Sequence, residues 1–443
     1  MSSEWPVLAL EDCLDALIDY RGKTPEKTDS GIPLVTAKII KNGRIEKASE
    51  FIAEEGYDAW MRRGIPQTGD VVMTTEAPLG EVAQLGKEKI ALAQRVVTLR
   101  GKAGLLDSTY LLYLLQTEEM QDQLKARATG TTVLGIKQSE LRKVSVTLPP
   151  IDLQKNAASV LSAVDARIDL LRETNTTLEA IAQALFKSWF VDFDPVHAKQ
   201  QGREPEGMDA ATAALFPDSF EESELGLVPS GWRASTLDEI STVGIGKTPP
   251  RKEQHWFSEN PSDMRWVSIR DMGISGAYIS TTSEYLTRES IDRFNVRLIP
   301  DNTAILSFKM TIGRVAISEG EMTTNEAIAH FKLDEQSPLS TEFIYLHLKQ
   351  FDYSTLSSTS SIADAVNSKI VKAIPVLLPT KSVITSFQNN VSSLFQRIKN
   401  IEQQLETLST LRDTLLPRLI SGQLRLPEAE ALLKETKETT HAA

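Results

Sequence analysis

Two stretches of the sequence carry the same four residues, Gly22-Lys23-Thr24-Pro25 and Gly246-Lys247-Thr248-Pro249. Gly-Lys-Thr is the tail of a phosphate-binding loop, in which backbone N–H groups and a lysine cradle a nucleotide. That loop needs another glycine five residues before the Gly-Lys pair. Leu17 and Ser241 stand there instead. The phrase therefore reads as a turn, with glycine free in φ and proline fixed. Two roles stay open for it: turn geometry alone, or a turn that also offers Lys23 and Lys247 to a phosphate.

Other catalytic constellations are missing from the sequence. Pro149-Pro150 lies between Leu148 and Ile151, so no Asn-Pro-Pro-Tyr tetrapeptide of adenine methylation is present, and the Glu435-Thr436-Lys437 triplet sits in a polar tail. There is no Gly-x-Ser-x-Gly elbow and no His-Glu-x-x-His. One cysteine, Cys13, excludes an internal disulfide, and five scattered histidines lack ligand spacing, so no metal site is expected. Long segments without an active-site signature suggest binding modules.

The repeat extends well beyond the shared phrase, into the elements that must position it. Residues 69–85 (GDVVMTTEAPLGEVAQL) match 301–317 (DNTAILSFKMTIGRVAI), STYLLYLLQ at 108–116 matches TEFIYLHLK at 341–349, and 140–150 match 369–379. The last part of each copy is a heptad seam. Leu161, Val164, Ile168, Leu171, Asn175, Leu178 and Leu185 recur 230 positions later as Val391, Leu394, Ile398, Ile401, Leu405, Leu408 and Leu415. The 3-4 spacing predicts helices over about 153–190 and 384–420 that pair as an antiparallel coiled coil, with Asn175 as a register-fixing polar residue and Pro417 as a kink or early stop. The expected class is α+β: two similar α/β globules separated by two paired long helices, with approximate two-fold symmetry. The expected segments are 1–150, a helix at 151–195, an acidic linker at 196–230, a second globule at 231–380, a helix at 381–424 and a polar tail at 425–443.

The order and duplication of these parts resemble the specificity subunit of type I restriction-modification systems. The resemblance rests on LPPIDLQKNAASVLSAVDARIDLLRETNTTLEAIAQALFKSWF (148–190), on IEQQLETLSTLRDTLLPRLISGQL (401–424), and on VPSGWRASTLDEI (228–240). It covers essentially the whole chain. It implies a non-catalytic subunit in which each globule reads one half of a bipartite, asymmetric site in double-stranded DNA. The helices would set the spacing and dock two methyltransferase subunits, and two restriction subunits would complete the complex. S-adenosylmethionine, ATP and Mg²⁺ would be bound by those partners and not by this chain. Alternatives are a methylation-only system, a methyltransferase with its own recognition domain, and a scaffold that binds no DNA.

A net charge of −12 does not advertise DNA binding, but binding depends on a local face rather than the sum. Seven acids against Lys199 and Arg203 concentrate negative charge in 196–230. Candidate DNA contacts in the first globule are Lys23 in the repeated turn, Lys38, Lys41 and Arg44 around the Asn42-Gly43 turn, Thr74 and Thr75 following a strand, and Arg127 and Lys137 in a Gly/Thr-rich loop at 127–139. In the second they are Lys247, Arg251, Lys252, Arg265, Arg270, Lys309 and Arg314, with 357–369 as the counterpart loop. Trp256 and Trp266 read as core. No stretch is apolar for long enough to span a bilayer, and a cytoplasmic protein is expected.

Overall fold

The computed structural model describes residues 5–20, 24–356, 366–424 and 428. The chain divides into two compact units, Met1–Asp169 with Glu406–Ala443, and Leu170–Leu405.

The first unit is built on a four-stranded antiparallel sheet in the order Leu14–Asp19, Val96–Gly101, Val71–Thr75, Leu79–Gln84. Beside it, Ile32–Val35 pairs in parallel with Ala91–Leu92 through Leu34↔Ala91, and antiparallel with Phe51–Ile52. Val7–Ala9 pairs with Ser145–Thr147. The helix Ser108–Gln116 covers the sheet; Asp107 caps it by accepting from the Tyr110 N–H at 2.9 Å, and Tyr110 through Leu115 are all buried.

The second unit repeats this order with one more strand. Its sheet runs Thr242–Ile245, Ile328–Lys332, Ala304–Ser307, Val315–Ser318, Tyr278–Ile279. Met264–Val267 pairs in parallel with Thr323–Thr324 through Trp266↔Thr323 and antiparallel with Glu284–Leu286. Arg233–Thr236 pairs with Pro375–Leu378, and the helix Thr341–Gln350 is capped by Ser340. The first unit's counterpart of the extra strand is a single parallel bridge, Gly43↔Ala83. The two globules thus share a topology, as the repeat implies. Trp256 and Trp266 are buried.

Two helices of 40 residues each, Ile151–Phe190 and Lys381–Ile420, are about 60 Å long. They pair within each unit. In the first unit the opening turns of the first helix meet the closing turns of the second: Ala157, Ala158 and Leu161 share a core with Leu415, Leu416 and Leu419. In the second unit the closing turns of the first meet the opening turns of the second, with Ala182 and Phe186 against Val391, Phe395 and Ile398. The pairing is therefore antiparallel. Leu161, Val164, Ile168, Leu171, Val391, Ile398, Ile401 and Leu415 are buried; Leu178, Leu185, Leu394 and Leu408 are half-buried. Pro417 does not end the second helix. It lies exposed in the last turn, where one lost backbone bond from the Asp413 carbonyl faces water.

At the end of the first helix the heptad seam broadens. Phe186, Trp189 and Phe190 form an aromatic cluster with Phe343 and Phe387 at centroid distances of 4.8–6.1 Å. A straight helix drifts relative to a seven-residue repeat, so a longer stretch presents a wider apolar face.

The segment 196–230 is not an extended linker. It forms the helices Asp194–Gln200 and Ala210–Ala214 and a hairpin of Phe220–Ser223 with Gly226–Pro229. Val196, Phe216 and Val228, at 0, 2 and 3% exposure, anchor it in spite of its charge. The tail at 425–443 lies outside the described residues except for Glu428. Among the described residues no helix is long and apolar enough to cross a membrane.

Candidate nucleic-acid interface

Both units build the same hairpin from the matched segments. In the first, the Thr74 hydroxyl accepts the Glu81 N–H at 2.9 Å across the turn; in the second, the Ser307 hydroxyl accepts the Arg314 N–H at 3.1 Å. Both tips bear a residue with left-handed φ, Ala77 at 53° and Met310 at 60°, followed by Gly80 at 88° and Gly313 at 89°. The two tips share these left-handed positions and carry different side chains: Glu76-Ala77-Pro78 in one, Lys309-Met310-Thr311 in the other. Met310 is 82% exposed.

The loop at 127–139 docks on the first tip. The Ile136 N–H donates to the Thr75 carbonyl at 3.0 Å, Glu76 bridges to Gly135, and Thr129 and Gly135 exchange two backbone bonds at 2.9 Å. Val133 and Leu134 are thereby held outward, exposed. In the second unit Gly313 packs beneath the Tyr353 ring, just before the counterpart loop. Residues 357–365 of that loop lie outside the described residues, as does Lys23.

The candidate cations separate into two groups. Lys38 and Arg270 stand at equivalent places, each three residues past the strand that makes the parallel pair. Both are exposed, as are Lys137 and Lys252, and among the described residues none of these four side chains makes a hydrogen bond or ion pair. The others are engaged within the protein. Lys41 pairs with Glu46 at 2.9 Å, Arg44 with Asp169 on the first long helix at 3.0 Å, and Arg127 with Glu140 at 3.6 Å. The Lys247 ammonium donates to the Phe294 carbonyl at 2.5 Å. Arg251 makes a two-pronged bond to Glu284 at 2.7 and 2.9 Å while stacking over Phe257 and Trp266. Arg265 donates to the carbonyls of Ser280, Glu319 and Glu321, and Arg314 to that of Ile269. Lys309 is half-buried, 5.5 Å from the Phe308 ring. Thr74 and Thr75 are buried, at 0 and 2% exposure, so neither offers a side chain to a ligand. Thr74 and Thr75 belong to the strand Val71–Thr75 and do not follow it; the cross-turn bond of Thr74 depends on Glu81 seven residues on, which composition does not announce.

One half-buried acid was not singled out by sequence. Glu402, on the second long helix, accepts the Ala277 N–H at 2.8 Å and the Tyr278 N–H at 2.9 Å. Gly276 leaves room for it: a Cβ there would lie 2.0 Å from the carboxylate oxygen. Burial raises its pKa to about 7 against the pull of the two N–H groups, with Glu319 and Glu179 adding to the rise. Its neighbours in the sequence, Ile401 and Gln403, give no hint of this half-burial.

Two tandem copies of one fold, with matched hairpins whose tips differ, define a protein with two recognition modules on a shared helical support. Residues 2–180 and 229–407 each match the family model described as the type I restriction modification DNA specificity domain. The chain belongs to this family and is the DNA specificity subunit of a type I restriction-modification system. It is 27% identical over 381 residues to the HindI specificity subunit of Haemophilus influenzae, covering 76% of this chain and 82% of that one. It is 26% identical to the MjaIX specificity subunit of Methanocaldococcus jannaschii, covering 96% and 94%. The fold is also that of the crystal structure of the S subunit from M. genitalium, with a TM-score of 0.55, 17% identity, and 94% and 96% of the two chains covered. A specificity subunit is the non-catalytic member of its system.

Proposed function

We propose that each globule reads one half of a bipartite, asymmetric DNA site, and that the two paired helices set the unread spacing and dock two methyltransferase subunits. Two restriction subunits complete the cleaving complex. S-adenosylmethionine, ATP and Mg²⁺ serve those partners, which carry out adenine methylation and ATP-dependent cleavage. The observation that carries this reading is the pair of matched hairpins: the same cross-turn hydroxyl bond and left-handed positions presented twice, with Glu76-Ala77-Pro78 on one tip and Lys309-Met310-Thr311 on the other. A constant frame with varied tips supports recognition of two unlike half-sites. Lys38 and Arg270, cationic and unpaired at equivalent positions, support a shared mode of approach to the duplex.

The test uses the chain reconstituted with its methyltransferase subunits, and the target obtained by methylation profiling. Lys38→Ala and Arg270→Ala should each act on one half-site. A side chain that reads a base costs about 1–3 kcal/mol at its own base pair, whereas one on phosphate weakens all sequences alike and lowers the salt slope by about one. Specific binding unchanged in both variants overturns the assignment of these residues. Exchange of either globule leaving the methylated sequence unaltered overturns the two-module reading itself.

A further inference from the structure

The two matched hairpins differ in charge as well as in shape. The alignment that sets Thr74 against Ser307 sets Glu76 and Glu81 of the first against Lys309 and Arg314 of the second. Glu81 and Arg314 tie down the neighbouring segment with opposite charge. The Asn42 N–H donates to the Glu81 carboxylate at 2.9 Å, whereas the Arg314 guanidinium donates to the Ile269 carbonyl at 2.5 Å.

In the second unit the neighbouring segment is the helix Ile269–Ile274. A Cβ at Gly273 would collide with the Arg314 guanidinium, so glycine there lets the helix end lie against it. The strand after this helix, Tyr278–Ile279, runs parallel to the strand after the tip, Val315–Ser318, through Tyr278↔Ile317. Helix end and hairpin tip therefore stand at the same end of the strand pair.

Met310 on the tip and Ile274 at the helix end are the two most exposed large apolar side chains among the described residues, at 82 and 80%. Met310 also has a φ of 60°, which residues other than glycine, asparagine and aspartate rarely adopt. The tip is fixed in this form. The Ser307 hydroxyl donates to the Thr311 carbonyl at 2.6 Å and accepts the Arg314 N–H at 3.1 Å, and the Gly313 N–H donates to the Ser307 carbonyl at 3.0 Å. Apolar side chains held in water add nothing to the fold, and an unfavourable backbone held in place by its surroundings is a feature of functional sites.

The charges around these two side chains specify what they meet. Arg270, Lys309 and Arg314 make no ion pair among the described residues. In the segments 269–277 and 307–318 the single acid is Asp271, which is 3% exposed and bound by Ser268 and the Ser283 N–H. Cations around an apolar centre match a DNA groove, with phosphates at the rim and base edges within. The apolar feature of those edges in the major groove is the 5-methyl group of thymine.

We propose that Met310 and Ile274 read thymine in the half-site of the second globule by packing against its 5-methyl group in the major groove. This rests on the reading that each globule binds one half-site, and adds the base recognised and the side chains that recognise it. The first globule, with Glu76 and Glu81 at the equivalent places, has no such surface there.

The experiment uses the chain reconstituted with its methyltransferase subunits and duplexes carrying the target found by methylation profiling. Each thymine of the second half-site is replaced singly by uracil, which keeps the base pair and removes only the methyl group. At one position or more, uracil should weaken binding about fourfold, as expected for one buried methyl-sized group. Met310→Asn removes the apolar surface and suits the left-handed backbone; it should bind the thymine and uracil duplexes equally. Ile274→Ala should reduce the thymine-to-uracil ratio. Equal binding of every uracil duplex by the parent, or a ratio that either variant leaves unchanged, overturns the proposal. So does a loss in M310N confined to assembly with the methyltransferase subunits, which would place the tip in a protein contact. In each of these cases, exchange of whole base pairs in the same half-site tells the two readings apart: a loss of affinity leaves the two-module reading standing, and no loss removes it as well.

Discussion

Glu402 makes the stability of the second unit depend on pH in a direction opposite to most carboxylates. Its pKa rises from an ordinary 4.5 to about 7, chiefly because burial penalises the charged form. The folded state therefore holds a proton that the unfolded chain releases, and stability falls as pH climbs from about 4.5 to about 7. At about 1.4 kcal/mol per pH unit, the whole effect is about 3 kcal/mol, of which about 2.5 kcal/mol falls between pH 5 and pH 8. Glutamine mimics the protonated acid, accepts one of the two backbone N–H groups and does not titrate. Glu402→Gln should match the parent near pH 5 and exceed it by about 2–3 kcal/mol at pH 8. Chemical denaturation of both proteins at several pH values, followed through the transition of Leu170–Leu405, measures the difference, in which all other titrating groups cancel. A difference that stays constant across the range refutes the argument, because it would mean that Glu402 is ionised alike in both states.

Asn175 donates to the Ile398 carbonyl at 3.4 Å, and its Oδ1 is buried without a partner. Asn175→Leu should therefore stabilise the helix pair by about 1–2 kcal/mol, since an unsatisfied buried acceptor costs about 1–3 kcal/mol; a loss of stability in thermal unfolding would contradict this. Arg251→Ala should destabilise the second unit by about 1–2 kcal/mol, from a partly exposed bidentate pair and two ring contacts. If Arg251 instead belonged to the DNA contacts, unfolding would be unaffected while DNA binding fell.

The heptads made the long helices legible to within a few residues, because a seam such as Leu161 against Leu415, with Val164 and Ile168 buried further along, has few other ways to be buried. The duplication made the common topology legible, since matched strands and turns recur in order. What remained hidden depended on partners far apart in the chain. Lys247, Arg251 and Arg314 have the composition of a DNA-binding surface, yet the Phe294 carbonyl, Glu284 and the Ile269 carbonyl engage them within the protein. The segment 196–230 has the charge of a linker, and its order comes from three apolar residues spread among seven acids. A count of charges has no access to either kind of fact.

Comparison of the two copies supplies what a single copy withholds. Where both keep a device in altered chemistry, as with the Thr74 and Ser307 hydroxyls, the position serves the frame. Where the tip beyond that device changes, from Ala77 to Met310, the frame is unaffected and the change is available for recognition. The cross-strand pair at Ile18/Thr98 and Gly244/His330 belongs to neither group. Both members change together, the glycine making room for the ring. Among the described residues the Thr98 hydroxyl and the His330 Nε2 are alike buried without a hydrogen-bond partner. An unsatisfied buried polar atom costs about 1–3 kcal/mol, so the exchange alters the packing of this strand pair and leaves the polar cost in place.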